Sequence, residues 1–223
     1  MDIKIIVADS KHCIYAEEIC QLMEEAAKKR GTGIAKRKPE YICSKMKEGK
    51  AVVAIDRDHD DPLAGFCYIE SWEGEKYIAN SGLIVHPHYR KLGLGRRIKE
   101  RIFKLSRTKY PNSKIFGITT GMAVMKINSD LGYKPVPFSE LTQDEKFWKG
   151  CQSCPNYDIL TNEERKDCLC TGMLYDPEKE EQSEEEPVNK DKRWKKFKRF
   201  LRLHKRNLQR KAKSVFNLKS VSQ

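Results

Sequence analysis

The sequence predicts a mixed α/β fold, in which a central, mostly antiparallel sheet is flanked by helices. Two features carry this prediction. Strand-like segments separated by short polar turns follow one another in the middle of the chain, and strands then alternate with helices. Meandering strands followed by strand–helix alternation give a mixed sheet covered by helices. A small cysteine-rich C-terminal lobe and a basic tail complete the predicted architecture.

The N-terminal half is predicted to contain one strand, two helices and a three-stranded meander. Residues 3–8 form the first strand. Residues 12–30 carry apolar side chains at helical spacing, and two glycines end that helix. A second helix begins at a proline, ends at Gly49, and spans residues 39–47. The meander consists of strands at residues 51–55, 63–71 and 77–85.

The second half alternates between helices and strands. A long helix runs from residue 94 to 110 and ends at Pro111. The remaining predicted elements are a strand at 114–120, a helix at 123–131, an extended segment at 133–138 and a strand at 169–175.

The corner between the third meander strand and the long helix is the most informative part of the chain. Pro87 stops the strand, and Gly93 and Gly95 precede or open the helix. The first N–H groups of a helix have no internal partners, and the helix dipole adds positive potential, so such a corner binds phosphate groups. A side chain at either glycine would hold a phosphate away from the backbone.

The pattern Arg90-x-x-Gly93-x-Gly95, placed after a strand and Pro87, resembles the pyrophosphate-binding signature of the GNAT superfamily of acyl-CoA N-acyltransferases. Gly132-Tyr133 resembles the Gly-aromatic pair that follows the last core helix of that family. The resemblance covers residues 1–140 approximately and implies acetyl-CoA or succinyl-CoA as the acyl donor. It implies that the donor is held by Leu83, Ile84, Val85, Arg90, Lys91, Leu92, Gly93, Leu94, Gly95 and Arg96.

The resemblance also implies how the reaction proceeds. A backbone N–H near Leu83 or Ile84 would polarise the thioester carbonyl, and the acceptor amine would attack it directly. A base, or a water chain, must take the proton of the amine, and Glu70 is the first candidate, with a solvated turn carboxylate as the alternative. Many family members carry a tyrosine acid where this chain has Asn128, so we take Asn128 as the second catalytic candidate.

A basic segment at residues 28–37 lies where this superfamily forms part of the acceptor site. Arg30 and Arg37 could bind a carboxylate there, or belong to a solvated basic loop. Five segments resemble bacterial proteins described as N-acetylglutamate synthase-like, with N-succinylglutamate synthesis as a related activity: residues 30–35, 47–51, 69–72, 81–87 and 147–151. The resemblance implies glutamate as the acceptor, in arginine biosynthesis. A polyamine or a protein amine is the alternative acceptor.

Four cysteines cluster near the end of the predicted domain, as Cys151-x-x-Cys154 and, after thirteen intervening residues, Cys168-x-Cys170. Two close pairs of thiols can form a tetrahedral structural zinc site, and the alternatives are four reduced structural thiols or an iron–sulfur cluster. The other four cysteines have apolar neighbours. Because no export signal is visible, we expect no disulfides among them.

The positive charge of the chain is concentrated at its end. Of a net charge of +12, residues 188–223 contribute 14 Lys/Arg against one Asp, after an acidic linker at 178–187. We therefore divide the chain into an acyltransferase domain (1–150), a cysteine-rich lobe packed on the sheet (151–177), the linker and an amphipathic tail. The tail suits RNA, an acidic membrane surface or an acidic protein, and a non-catalytic CoA-binding or metal-containing module with such a tail is a further alternative. No transmembrane segment is predicted, a cytoplasmic location is expected, and a homodimer is left open.

Overall fold

The computed structural model describes residues 2–31, 36–59, 63–165 and 168–181, together with Arg199. In these residues the strands form one seven-stranded sheet of order β1-β2-β3-β4-β5-β7-β6, in which only the β4–β5 pair is parallel. The predicted mixed, mostly antiparallel sheet is confirmed. Its strands are β1 Ile3–Val7, β2 Ala51–Asp56, β3 Leu63–Trp72, β4 Tyr77–Val85, β5 Lys114–Thr119, β6 Lys134–Val136 and β7 Thr171–Tyr175.

Helices precede, separate and follow these strands. Within the described residues they are α1 Ala16–Arg30, α2 Pro39–Lys47, α3 Leu94–Lys109, α4 Met122–Asp130, α5 Glu145–Lys149, α6 Tyr157–Asn162 and α7 Pro177–Glu181. The predicted first helix is divided, since residues 10–15 form a 3-10 turn capped by Asp9. Proline at the first turn of α2 and the left-handed Gly31 after α1 (φ 61°) explain two of the observed boundaries.

The two faces of the sheet bury two separate cores. Because side chains alternate along a strand, Val53 and Phe66 pack under α1 and α2, whereas Val52 and Cys67 pack under α3 and α4. All four are completely buried. The sheet is therefore a rigid central layer, and its strand ends hold whatever residues follow them in fixed positions.

The cysteine-rich lobe contributes a strand to this sheet. β7 lies between β5 and β6 and is antiparallel to both. A third core joins the lobe to the sheet, where Trp148 and Leu160 pack with Phe116 of β5. The lobe thus forms one wall beside the C-terminal end of β5.

The structure differs from the sequence prediction at Cys13 and Cys43, for which no disulfide was expected. The two residues form a disulfide, because the 3-10 turn before α1 packs against α2 and brings their Cα atoms to 4.8 Å. The absence of an export signal, on which the expectation of no disulfide rested, does not determine whether these two residues come into contact. It depends on packing between segments thirty residues apart.

Some predictions fall outside the described residues. These are the glycine-rich loop at 32–35, most of the acidic linker and the basic tail apart from Arg199. Among the helices that the structure describes, none combines the length and apolarity needed to cross a bilayer.

Candidate active site

A cleft opens in the sheet where β4 and β5 separate. Their pairing ends at Ala79 and Phe116, and the described residues show no further pair between these strands. A bulge turns β4 at this point: Tyr68 of β3 faces Ser81, but Phe66 faces Ile84, so β4 contains one extra residue.

Gly82 makes this bulge sterically feasible. Its backbone is left-handed (φ +64°), and a Cβ atom there would lie 2.5 Å from the ring of Tyr68 and 2.7 Å from Met23. Only glycine satisfies both the torsion angle and the contact. The bulge therefore directs the end of β4 away from β5 and leaves the cleft between them.

The predicted phosphate-binding corner lies between the end of β4 and the start of α3. Gly93 caps α3 in a left-handed conformation (φ +73°), and its carbonyl accepts the N–H groups of Arg96 and Arg97 at 3.0 and 3.3 Å. In the described structure the N–H groups of Leu94 and Gly95 have no internal acceptor. A Cβ atom at Gly93 would meet nothing within 4 Å, so the space beside the residue that caps the helix is open.

The side chains of the corner are basic and partly engaged. Arg90 Nε donates to the Val85 carbonyl at 3.2 Å, which ties the loop to the end of β4. Arg96 pairs with Asp130 of α4 at 2.6 Å, which joins α3 to α4 below the corner. Lys91 and Leu92 are exposed. Together with the free N–H groups, these cations give the corner a positive potential suited to an anion.

A cavity of about 210 Å³ occupies the inner part of the cleft. One of its walls carries a buried charge pair, Glu70 at the end of β3 and Arg37 before α2. Glu70 is only 3% exposed, and its Oε1 accepts hydrogen bonds from Tyr41 at 2.6 Å and from Arg37 Nη2 at 3.0 Å. Its Oε2 has no hydrogen bond to another described residue, and is thus the oxygen left to receive a proton.

The guanidinium of Arg37 donates hydrogen bonds to three groups and has further N–H groups that are not paired with any other described residue. Its Nε donates to Tyr68 Oη at 2.8 Å, and its Nη1 donates to the Lys36 carbonyl at 3.3 Å. Since a guanidinium has five N–H groups, two remain without an acceptor among the described residues. Burial alone would lower the pKa of Arg37, but Tyr68 and Glu70 outweigh burial and raise it, so the cation is permanent.

The opposite wall contains an amide with an unsatisfied oxygen. Asn128 of α4 is 1% exposed and lines the cavity, and its Oδ1 has no hydrogen-bond partner among the described residues. Its Nδ2 makes only a long contact, 3.8 Å, with the sulfur of Met173. A buried acceptor without a partner costs about 1–3 kcal/mol. The position therefore suits a ligand that brings its own N–H group.

A lysine that sequence analysis missed also faces the cavity. Lys99 of α3 is 2% exposed, and its Nζ lies 5.4 Å from the centre of the Tyr133 ring. Burial lowers the pKa of this amine to about 8, although the Cys67 thiol acts in the opposite direction. The signal was present in the sequence, because Lys99 lies four residues after Gly95 and three before Ile102, on the inner face of the helix.

Comparison with known protein families identifies the domain. Residues 16–120 match the model of the acetyltransferase (GNAT) family, a segment that begins with α1 and ends just after β5. The chain carries a GNAT acetyltransferase domain. The prediction of an acyl-CoA N-acyltransferase is thereby confirmed. A search of curated protein sequences finds no match.

Solved structures share the fold of this GNAT domain at low sequence identity. N-acetylglutamate synthase from Neisseria gonorrhoeae, in complex with coenzyme A and N-acetyl-glutamate, superposes with a TM-score of 0.55 at 16% identity. The match covers 79% of this chain but only 35% of that enzyme. Rv2747 from Mycobacterium tuberculosis, in complex with CoA, gives 0.54 at 15% identity, covering 78% and 98%. The yncA protein from Salmonella typhimurium, solved with its cofactor acetyl-CoA, gives 0.53 at 14%, covering 79% and 95%.

The four clustered thiols form the wall of the GNAT cavity next to α6. Burial first, and then the charges of Cys168 and Cys154, raise the pKa of Cys151 to about 11. The pKa of Cys170 is also raised, first by a hydrogen bond with Cys168 and then by burial. The thiols are therefore close together. Even so, no group of three metal-binding side chains within the described ranges has an arrangement that could hold an ion. The zinc site stays a prediction.

The structure brings eight of the predicted site residues to one cavity: Arg37, Glu70, Leu83, Asn128, Cys151, Cys154, Cys168 and Cys170. The other predicted coenzyme-binding residues, from Ile84 to Arg96, do not line this cavity and follow it in the chain, at the end of β4 and the start of α3. Arg30 is the last residue of α1, and its side chain is outside the described part of the chain. Three site residues were not predicted, namely Tyr41, Tyr68 and Lys99, and only Lys99 has a recognisable pattern in the sequence around it.

Proposed function

We propose that this GNAT enzyme transfers an acetyl group from acetyl-CoA to the α-amine of glutamate, as in the first step of arginine biosynthesis, with succinyl-CoA as the alternative donor. One observation carries the proposal. Residues 79–83 of β4 line a cavity that holds both a permanent cation, Arg37, and a buried carboxylate, Glu70, and the chain continues from the end of β4 to the free backbone donors at residues 94 and 95.

The coenzyme would be held mainly by backbone groups. The free N–H groups at residues 94 and 95, with the positive end of α3, would bind the pyrophosphate. The side of β4 that faces the gap would pair with the amide-bearing pantetheine arm, as a sheet edge pairs with a peptide. Asn128 Oδ1 would accept an N–H from the ligand. Acetyl-CoA supplies the activated acyl group.

The acceptor would be a small carboxylic acid with an amine. The two remaining N–H groups of Arg37 suit one carboxylate, and a cavity of about 210 Å³ limits the size of the molecule that bears it. Oε2 of Glu70 would take the proton of the attacking amine, directly or through a water molecule. The N-acetylglutamate synthase of Neisseria gonorrhoeae, solved with CoA and N-acetyl-glutamate, supports the choice of glutamate by its shared fold.

The proposal is tested by offering acetyl-CoA and succinyl-CoA with glutamate, aspartate, glutamine, spermidine and a peptide. The acylated product should be measured by mass spectrometry, because the eight cysteines of the chain would react with thiol reagents. We expect glutamate to give the highest kcat/KM. Turnover of spermidine or the peptide in preference to glutamate would replace the proposal by the polyamine or protein-amine alternative.

The role of Arg37 is tested by Arg37→Gln. Loss of the cation should raise the KM for glutamate roughly 10- to 100-fold while changing the KM for acetyl-CoA little, since the donor binds at the other end of the cleft. Arg101→Gln is the matched control, because Arg101 is an exposed arginine of α3. An equal rise in both KM values would show that Arg37 supports the fold rather than the acceptor.

A further inference from the structure

Lys99 is a buried cation without a buried anion. Its side chain reaches from the inner face of α3 to the cavity, and no acidic side chain pairs with it in the described residues. The titratable groups that face it are the thiol of Cys67 on β3 and the ring of Tyr133 after α4. A buried charge without a partner is costly, so its position in a ligand cleft calls for an explanation in the reaction.

The polar groups next to Lys99 already have partners. Asn80 of β4 donates to Ser106 at 2.7 Å and accepts from Tyr133 at 3.1 Å. The Cys67 thiol donates to the carbonyl of Ser81 at 3.3 Å, at the start of the bulge. The ammonium of Lys99 is therefore left facing the cavity beside the bulge, where β4 leaves β5.

We propose that Lys99 is a further catalytic residue, the acid that protonates the sulfur of coenzyme A when the thioester breaks. This role rests on the proposed acyl transfer. The amine nitrogen forms a bond to the carbonyl carbon, and the C–S bond then breaks with its electron pair on sulfur. Lys99 Nζ gives a proton to that sulfur, and the proton that Glu70 takes from the attacking amine then passes through water to Lys99 and restores both groups. The products are the amide and the free thiol.

Two further features support this assignment. Asn128 stands where a tyrosine acid would be found in many GNAT enzymes, and an amide cannot donate a proton as an acid at neutral pH. Burial lowers the pKa of Lys99 to about 8, so at neutral pH the ammonium is still present and gives up its proton more readily than an exposed lysine.

The first test compares Lys99→Met and Lys99→Gln with Lys104→Met, which removes an exposed lysine from the same helix. We expect kcat to fall about 100-fold in both Lys99 variants and to stay unchanged in the control. In the unsubstituted protein kcat should fall above about pH 8, as Lys99 loses its proton, and this descending limb should be absent from both variants. Unchanged kcat, or a descending limb that persists, would overturn the proposal.

The second test needs no turnover and separates this inference from the proposed function. The binding of coenzyme A and of desulfo-coenzyme A is measured by calorimetry at pH 7 and pH 9. Lys99 should favour the sulfur-containing ligand about tenfold in the unsubstituted protein, by donating a hydrogen bond to its sulfur, and Lys99→Met should abolish the preference. Equal preference in both proteins would refute the role of Lys99, whatever acceptor the enzyme uses. Absence of turnover with every acceptor would refute only the proposed function.

Discussion

Replacing Lys99 by methionine should make the folded protein more stable near neutral pH. Lys99 is almost completely buried, and its pKa falls from an ordinary 10.5 to about 8 because burial penalises the charged form. Each pKa unit corresponds to 1.36 kcal/mol, so the ammonium costs the folded state about 3 kcal/mol. The interaction with the Tyr133 ring, which methionine lacks, offsets about 0.5–1 kcal/mol of the gain. We therefore expect Lys99→Met to increase the free energy of unfolding by about 2 kcal/mol at neutral pH.

The gain should depend on pH with a definite sign. Between about pH 8 and 10.5 the unfolded chain binds a proton at Lys99 that the folded protein does not, so the stability of the unsubstituted protein rises with pH across this window. Below about pH 8 both states carry the proton, and the full penalty is present. The advantage of Lys99→Met should therefore be greatest at pH 7 and should largely disappear by pH 10.5.

Urea unfolding, followed by the fluorescence of the three tryptophans, measures this difference at pH 7 and pH 10. Lys104→Met is the control for the loss of a positive charge from α3. In thermal unfolding the gain at pH 7 corresponds to roughly 5 °C. The reasoning is refuted if Lys99→Met is less stable than the unsubstituted protein at pH 7, or if its advantage is the same at both pH values.

Three further predictions concern the rest of the site. Gly93→Ala should lose about 1 kcal/mol of stability, because φ is +73° at this position, and should bind coenzyme A about tenfold more weakly, as measured by calorimetry. Gly95→Ala should show little strain, because its Cβ would make only an ordinary 3.6 Å contact with Val85. Glu70→Gln should lower kcat with glutamate about 100-fold, since the candidate base is removed, and should destabilise the protein by leaving Arg37 buried without its carboxylate. If the predicted zinc binds, elemental analysis of the full chain should give one zinc per molecule, and Cys154→Ser should remove it with no direct effect on coenzyme binding. The first prediction is contradicted if the two glycine variants lose equal stability, and the second if the Glu70→Gln enzyme is fully active. The third is contradicted if the chain is free of metal after growth and purification with zinc.

The sequence allowed those elements to be predicted whose limits are set locally. The limits of α2 and β4 agree with the prediction because a proline or a glycine marks them and the apolar pattern between is unambiguous. The short helices α5 and α6 were missed. They have too few turns to show a helical period and are held by packing against β5 and β7.

The candidate site was predicted less completely for a related reason. The glycine corner is continuous in sequence, so its residues and its open geometry follow from one motif. The pair of Arg37 and Glu70 joins residues 33 positions apart, and the Cys13–Cys43 disulfide joins residues 30 apart. Such contacts depend on how α2 packs against the sheet, and no pattern within either segment indicates them. Lys99 could have been predicted as a site residue, because the helical period of α3 alone shows a lysine among the apolar residues of its buried face.

The separation of β4 and β5 has a consequence for the protein without its coenzyme. Six of the nine residues of β4 have no described neighbour on the β5 side, so amides on that side should exchange with deuterium faster than those of the paired residues 77–79. A molecule seated in the gap would act as a missing strand, slow this exchange and raise the melting temperature, by an amount equivalent to about 2.7 kcal/mol at one hundred times its dissociation constant. The melting temperature would thus report which acyl donor the enzyme prefers before any acceptor is known.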